Sequence, residues 1–530
     1  MNDKVISREY HLPFERISFE KIENEWQTVQ NLTEETGGSF SEEYNSFPER
    51  FYRDPCPDSR PTDLCNALDE YVWRKDDAWD WHFVETTNQF EGVTGYTYKM
   101  FSLKWLDNSW WEHYADGSQV WRHLVTIWVP KDLDRSQNQA IDWVEKRNAD
   151  NMVSWSWRMY MENTHIPELL CWLPMTKAAL RAMDMAEIIA KEEFEYTIEK
   201  WAVSGGSKRG WTTWLVGSVD PERVNLIVPV VATVVDYGKV IHAWLRNLGG
   251  TALAQLEYYL DQVIENIDHP NFADFGDPII YKERLTMPKL VIPATADYFF
   301  HIADTWAFFD RLPGETYLRL LPNAEHSTAI SGLSTQHWLL TRLIKLFFIS
   351  HRKTTSEMPV EIFAWVGDTR AKTRKDWRIF GVRNNEKFTS SDENLHIPYP
   401  EYSNSTSRKN YPELEKLLEN IPSYSSFPNI SIPNPSVDPF VDPEDIIVVK
   451  NAQLQGNFWH KHAVIPLGNN QFEIELQEAP DANRAFFVEV RFPGVDGVGH
   501  IELTTEVQII PEAFAFPECH GSECGALGLV

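Results

Sequence analysis

The segment SGGSKRGWTTW, Ser204 to Trp214, sets a serine hydroxyl in a turn of small residues. The short apolar run Trp201–Val203 precedes it and a run of helix-forming character follows. A serine becomes a nucleophile only when a base takes its proton and an acid orients that base. Both types occur downstream at matching places. "LVIPATAD" ends at Asp297 and "LRLLPNAEH" ends at His326, each at the expected end of a strand. The chain order is then serine, acid, histidine, with all three at one sheet edge. That set performs acyl transfer: Ser207 attacks, His326 moves the proton and Asp297 orients His326. The backbone amide of Lys208 supplies one donor to the oxyanion. Asp236, after "PVVATVV", is an alternative acid, and Asp304 a third, with a helix surface as its expected home. Each feature alone is weak, because a Gly-Gly-Ser turn is usually only a turn and a strand-end aspartate is often a helix cap. The ordered set carries the reading.

Lys208 and Arg209 stand at the expected helix start, where positive charge opposes the helix dipole. Their presence calls for a carboxylate partner, and an ion pair inside the protein is the plainer expectation over an acidic substrate.

These residues need a sheet and helices to hold them. "PELLCWLPMTKAALRAMDMAEIIAKEE" has apolar residues at three- and four-residue spacing and predicts a helix. "EKWAVSG" and "RVNLIVPVVATVVD" are apolar and β-branched, as buried strands are; "PKLVIPATAD" and "TYLRLLPNAEH" repeat the form. "FFHIADTWAFFDRL" between them predicts a helix, and so does "STQHWLLTRLIKLFFISH" after them. Alternating apolar strands and helices give an α/β fold with a mainly parallel sheet. Before it, aromatic runs such as "EYVWRKDDAWDWHFVE" and "YTYKMFSLKW" read as strands. The expected organisation is an N-terminal extension at 1–60, an α/β-hydrolase domain at 61–352 and a C-terminal β-rich domain at 353–530. The last carries a Pro/Ser-rich insertion at 385–445, where the prolines forbid long helices and central strands.

The chain has 530 residues and a formal net charge of −29. That charge repels phosphate backbones, so no nucleic-acid partner is expected. No apolar run reaches the ~18 residues of a membrane-spanning helix, so no membrane insertion is expected. Its 22 tryptophans imply large aromatic cores or an aromatic cleft. The N-terminus shows no signal-peptide core, which reads as cytoplasmic or as a missing leader. The five cysteines point the other way: Cys56 with Cys65 and Cys519 with Cys524 are spaced for local disulfides, which fit an oxidising compartment. No cofactor and no metal ligand is assigned.

A family resemblance adds to this. "LPMTKAALRAMD", "VSGGSKRGWTTWLVGSVDPERV", "ATADYFF", "LLPNAEHS" and "ELTTEVQIIPEAFAFP" resemble the PhoPQ-activated pathogenicity-related family, which includes the autocrine proliferation repressors. The resemblance implies an α/β-hydrolase fold with a C-terminal β-rich part and, for some members, secretion. The elbow departs from the common spacing, since Arg209 stands two residues after the serine and Gly210 three; "GGSKRG" is similar in this to glucuronoyl-esterase-like hydrolases. Where the family carries a glycine-containing strand end for an oxyanion donor, residues 140–151 read "AIDWVEKRNADN", without Gly-Gly. Two functions follow. One is a serine hydrolase whose partner is a small-molecule ester or peptide. The other is a secreted signalling protein on a hydrolase scaffold, whose partner is a cell-surface receptor.

Overall fold

The computed structural model describes residues 65–88, 92–106, 120–130, 140–144, 149–328, 358–369, 372–378, 427–433, 446–452, 459–468, 471–477, 479–493 and 500–528. The expected extension at 1–60, the helix over 334–351, Cys56 and most of the 385–445 insertion lie outside them.

The first described element is a helix, α1 (Ala67–Trp73), where "EYVW" had read as a strand. Its start explains the correction. Asn66 accepts from the Leu68 amide at 3.0 Å and Asp69 accepts from the Asn66 amide at 3.3 Å, a reciprocal cap that outweighs the β preference of Tyr and Val. Strands β1 (Asp80–Thr87), β2 (Val93–Lys104), β3 (Val120–Pro130) and β4 (Ala140–Val144) follow as an antiparallel sheet in that order. Helix α2 (Ala149–Glu162) comes next, then the long helix α3 (Trp172–Phe194). Helix α3 is buried over most of its length and ends where Glu195 turns left-handed at φ 52°.

The unit that holds the serine starts at β5 (Trp201–Gly206). Helix α4 (Lys208–Val219), β6 (Val224–Val230), helix α5 (Tyr237–Leu248), a short helix α6 (Leu256–Leu260), β7 (Lys289–Val291) and β8 (Thr316–Leu318) complete it. Strands β5 to β8 pair in sequence order, all parallel. A parallel sheet covered by helices must be apolar on both faces, and Leu226, Ile227 and Val228 of β6 are fully buried. With the serine turn between β5 and α4, this is an α/β-hydrolase fold. The predicted helix over "FFHIADTWAFFDRL" is only two short 3₁₀ turns, Asp304–Ala307 and Phe309–Arg311. Tertiary contacts decide this: Asp304, expected on a surface, is buried and accepts from the Trp244 indole at 2.7 Å and the Thr233 hydroxyl at 3.0 Å.

Most of the described tryptophans go to the core. Trp172 stacks on Trp211 with ring centroids 3.8 Å apart, and Trp157 stacks on Phe272 at 4.7 Å. Two of the buried indole nitrogens at this core find backbone acceptors: that of Trp211 donates to the Gly276 carbonyl at 2.7 Å and that of Trp214 to the Ala232 carbonyl at 3.0 Å.

The C-terminal part is β-rich. Strand β9 (Glu361–Asp368) precedes a paired β10 (Phe427–Pro433) and β11 (Ile446–Ala452). Then come β12 (His460–Ala463), a hairpin of β13 (Ile465–Gly468) and β14 (Gln471–Glu473), and strands β15 (Arg484–Pro493), β16 (His500–Thr504) and β17 (Gln508–Ile510). Strands β12, β9, β15 and β16 form one sheet in that order, with β17 also on β15. A last helix, α7 (Ser522–Ala526), follows. The five-stranded sheet packs against the end of the parallel one. Arg319 after β8 pairs with Glu489 at 3.0 Å and with Glu502, and Ile302 and Leu320 share a core with Trp377, Trp459, Ala485 and Phe487.

Candidate active site

Ser207 sits between β5 and α4 at φ 57°, ψ −125°. This left-handed backbone is costly for a residue with a side chain, by about 1–3 kcal/mol. Its neighbours are small for stated reasons. A Cβ on Gly205 would lie 2.5 Å from the Arg209 carbonyl oxygen, and one on Gly210 would lie 2.5 Å from the Ala232 Cβ and 3.0 Å from the Val230 carbonyl oxygen. Glycine three residues past the serine, rather than two, is therefore where α4 crosses β6. The Ser207 amide donates to the Val230 carbonyl at 2.9 Å, which ties the turn to that strand.

The Ser207 hydroxyl lies 2.7 Å from His326 Nε2. His326 Nδ1 lies 2.9 Å from both oxygens of Asp297. Asp297 is 4 % exposed and His326 9 %. One oxygen of Asp297 also accepts from the amides of Phe299 at 2.7 Å and Phe300 at 3.1 Å. With the carboxylate so held, Nδ1 carries the proton and Nε2 faces the serine as acceptor. The aromatic run after Asp297 wraps His326: the rings of Tyr298, Phe299 and Phe300 lie 5.4, 4.5 and 5.7 Å from the imidazole. Burial, followed by the charges of Glu325, Asp297 and Asp150, pushes the Tyr298 phenol up to about 12.

Asp236, the alternative acid, stands elsewhere. It pairs with Lys239 at 2.7 Å and with Arg311, at the start of α5. Asp304 braces the loop after Asp297, where the oxygen that takes the Thr233 hydroxyl also accepts the His301 amide at 2.9 Å. Burial holds its carboxyl well above the usual range. Lys208 meets a carboxylate of the protein itself: its Nζ lies 2.8 Å from Asp150, whose other oxygen accepts the Tyr258 hydroxyl at 3.1 Å. Asp150 was not among the sequence candidates. The Lys208 amide opens the first turn of α4, where helix amides have no intrahelical acceptor.

The loops that carry Asp297 and His326 lean on the C-terminal sheet. Asn323, left-handed at φ 57°, donates from Nδ2 to the Trp459 carbonyl at 3.0 Å and accepts the Trp459 amide at 2.6 Å. The His301 imidazole donates to the Lys375 carbonyl at 2.8 Å. Behind Asp297 and the aromatic run is a small pocket, which Trp244, Gln255 and Trp377 also line.

A family model described as "PhoPQ-activated pathogenicity-related protein" matches residues 68–148 and 137–378. The chain belongs to this family. Among its relatives, autocrine proliferation repressor protein A of Dictyostelium discoideum is 29% identical over 384 residues, 59% of this chain and 76% of that one. Similar solved structures include acetyl xylan esterase 1 from Thermoanaerobacterium sp. JW/SL YS485, at 13% identity and TM-score 0.34, over 56% of this chain and 99% of that one. An acetyl xylan esterase from Paenibacillus sp. R4 matches at 14% identity and TM-score 0.36, over 52% and 91%. In this PhoPQ-related chain, Ser207, Asp297 and His326 all lie inside the span that the family model covers.

Proposed function

We propose that this protein is a serine hydrolase that cleaves a carboxylic ester or peptide bond. The observation that carries the reading is the unbroken chain from the Ser207 hydroxyl through His326 to Asp297, with 2.7 and 2.9 Å steps, on a strained turn. Ser207 attacks the carbonyl carbon and His326 Nε2 takes its proton. Asp297 stabilises the imidazolium that forms. The carbonyl oxygen, now negative, is met by the Lys208 amide at the helix start. The same proton then passes to the leaving oxygen or nitrogen. Water, activated by His326, releases the acyl group from Ser207.

A fluorophosphonate probe tests this directly, because it reacts with an activated serine and little else. Labelling of the folded protein that vanishes in Ser207→Ala supports the reading; a folded protein that stays unlabelled overturns it. The name of the Dictyostelium relative supports a second reading, in which an extracellular protein acts through its surface on a receptor. An unlabelled protein that still represses proliferation of responsive cells favours that reading.

A further inference from the structure

Away from Ser207, three residues far apart in the chain converge at the surface. His242 lies on α5, Asp268 in the turn after the Ile264–Asn266 3₁₀ helix, and His520 just before α7. One ligand atom from each lies within 4.8 Å of the other two. His242 Nε2 is 3.0 Å from one oxygen of Asp268, and His520 Nδ1 is 3.3 Å from the other. The two imidazole rings are 5.8 Å apart and tilted by 58°.

The arrangement is built. His520 stands next to Cys519, whose disulfide to Cys524 closes the loop around it. Gly521, at φ 53°, turns the chain so that its own amide donates to Asp268 at 2.9 Å. That bond orients the carboxylate from outside the cluster, as partners of a metal ligand do. The neighbouring His269 accepts the Asn271 amide through Nδ1 at 3.1 Å.

One feature does not suit a simple hydrogen-bonded strap. His242 Nδ1 is buried and has no hydrogen-bond partner among the described residues. If Nε2 carries the proton for Asp268, the Nδ1 lone pair is buried with no donor. A cation on Nε2 would move that proton to Nδ1. The sulfurs of Cys519 and Cys524 also lie within 4.8 Å of a ring nitrogen of this histidine.

We propose that His242, Asp268 and His520 bind one divalent transition-metal ion of the zinc class. Two imidazoles and a carboxylate suit zinc, with the fourth position left to water. Magnesium and calcium, which want oxygen ligands, fit poorly. The ion joins the C-terminal segment to α5 and to the 268 turn, and it has a structural role separate from Ser207.

The experiment is a calorimetric titration of zinc chloride into the metal-free full-length protein with its disulfides intact, with thermal melts alongside. The expected result is one equivalent bound and a melting temperature raised by zinc. His520→Ala, at an exposed position, and Asp268→Asn, which keeps the shape of the carboxylate, should each melt cooperatively without zinc. Each should bind zinc at least about tenfold more weakly and lose the zinc-dependent rise. Wild-type protein that binds no zinc, or that binds it as the two variants do, overturns the proposal.

Discussion

On the proposed function, Ser207 combines backbone strain with the reacting hydroxyl, and substitution separates the two. Alanine keeps the Cβ and hence the backbone cost at φ 57°, while it removes the hydroxyl. Ser207→Ala should therefore change stability by no more than about 1 kcal/mol, and should lower any hydrolysis by about 10³–10⁶-fold. Glycine removes the same hydroxyl and relieves the turn. Ser207→Gly should be equally inactive yet more stable than the alanine variant by about 1 kcal/mol, which paired denaturant titrations measure. The two acids part in the same way. Asp297→Asn should cost about 10³–10⁴-fold, because the imidazole loses the partner that fixes its tautomer. Asp236→Asn should stay near wild type, because Asp236 serves Lys239 and Arg311. That these three side chains meet was legible in the sequence, from strand ends and chain order: Ser207 and Asp297 both contact His326. Asp150 was not legible as the partner of Lys208. The two lie 58 positions apart, on helices whose packing no local pattern reveals.

At the scale of elements, the apolar strands and the long helix were legible because burial on both faces leaves little freedom of composition. The failures came where contact beats local preference. Capping made a helix of "EYVW", and the buried Asp304 held "FFHIADTWAFFDRL" in short turns. The His326 loop is tied on one side to the strand end before Asp297, where the Ala296 amide donates to the Ala324 carbonyl at 2.9 Å, and on the other to the C-terminal sheet, where Asn323 makes two bonds to the Trp459 backbone. Asn323→Ala loses both and puts a less tolerant residue at φ 57°. It should cost about 2–3 kcal/mol. It should also lower kcat for any substrate found while leaving KM nearly unchanged, because it misplaces the base and leaves the binding surface intact. Unchanged kcat would mean that the C-terminal sheet does not position His326.

Across the whole molecule, the net charge of −29 makes the response to acid a sum of opposing parts. Asp277 accepts the Asp236 and Tyr237 amides at the start of α5, and burial pushes its carboxyl up to about 7. Its protonation on acidification favours the folded state. His123 works the other way. It is 1 % exposed on β3, its Nε2 is 2.7 Å from the Ser102 hydroxyl on β2, and burial pushes its imidazole down to about 3. The unfolded chain protonates this histidine near pH 6.5, whereas the folded one resists until about pH 3. Between those values the unfolded state binds more protons, so the contribution is full above pH 6.5 and is lost as pH falls. A substitution isolates this part from the carboxylates. His123→Asn has no proton to gain, so wild type should lose about 2 kcal/mol relative to it between pH 7 and pH 5. Whatever the asparagine costs at pH 7, the gap between the two stability curves should close, or reverse, on the acid side. Denaturant midpoints for both proteins at pH 7, 6 and 5 measure that gap directly. A gap constant with pH would mean that His123 takes up its proton in the folded sheet as readily as in the unfolded chain, with the Ser102 hydroxyl as acceptor.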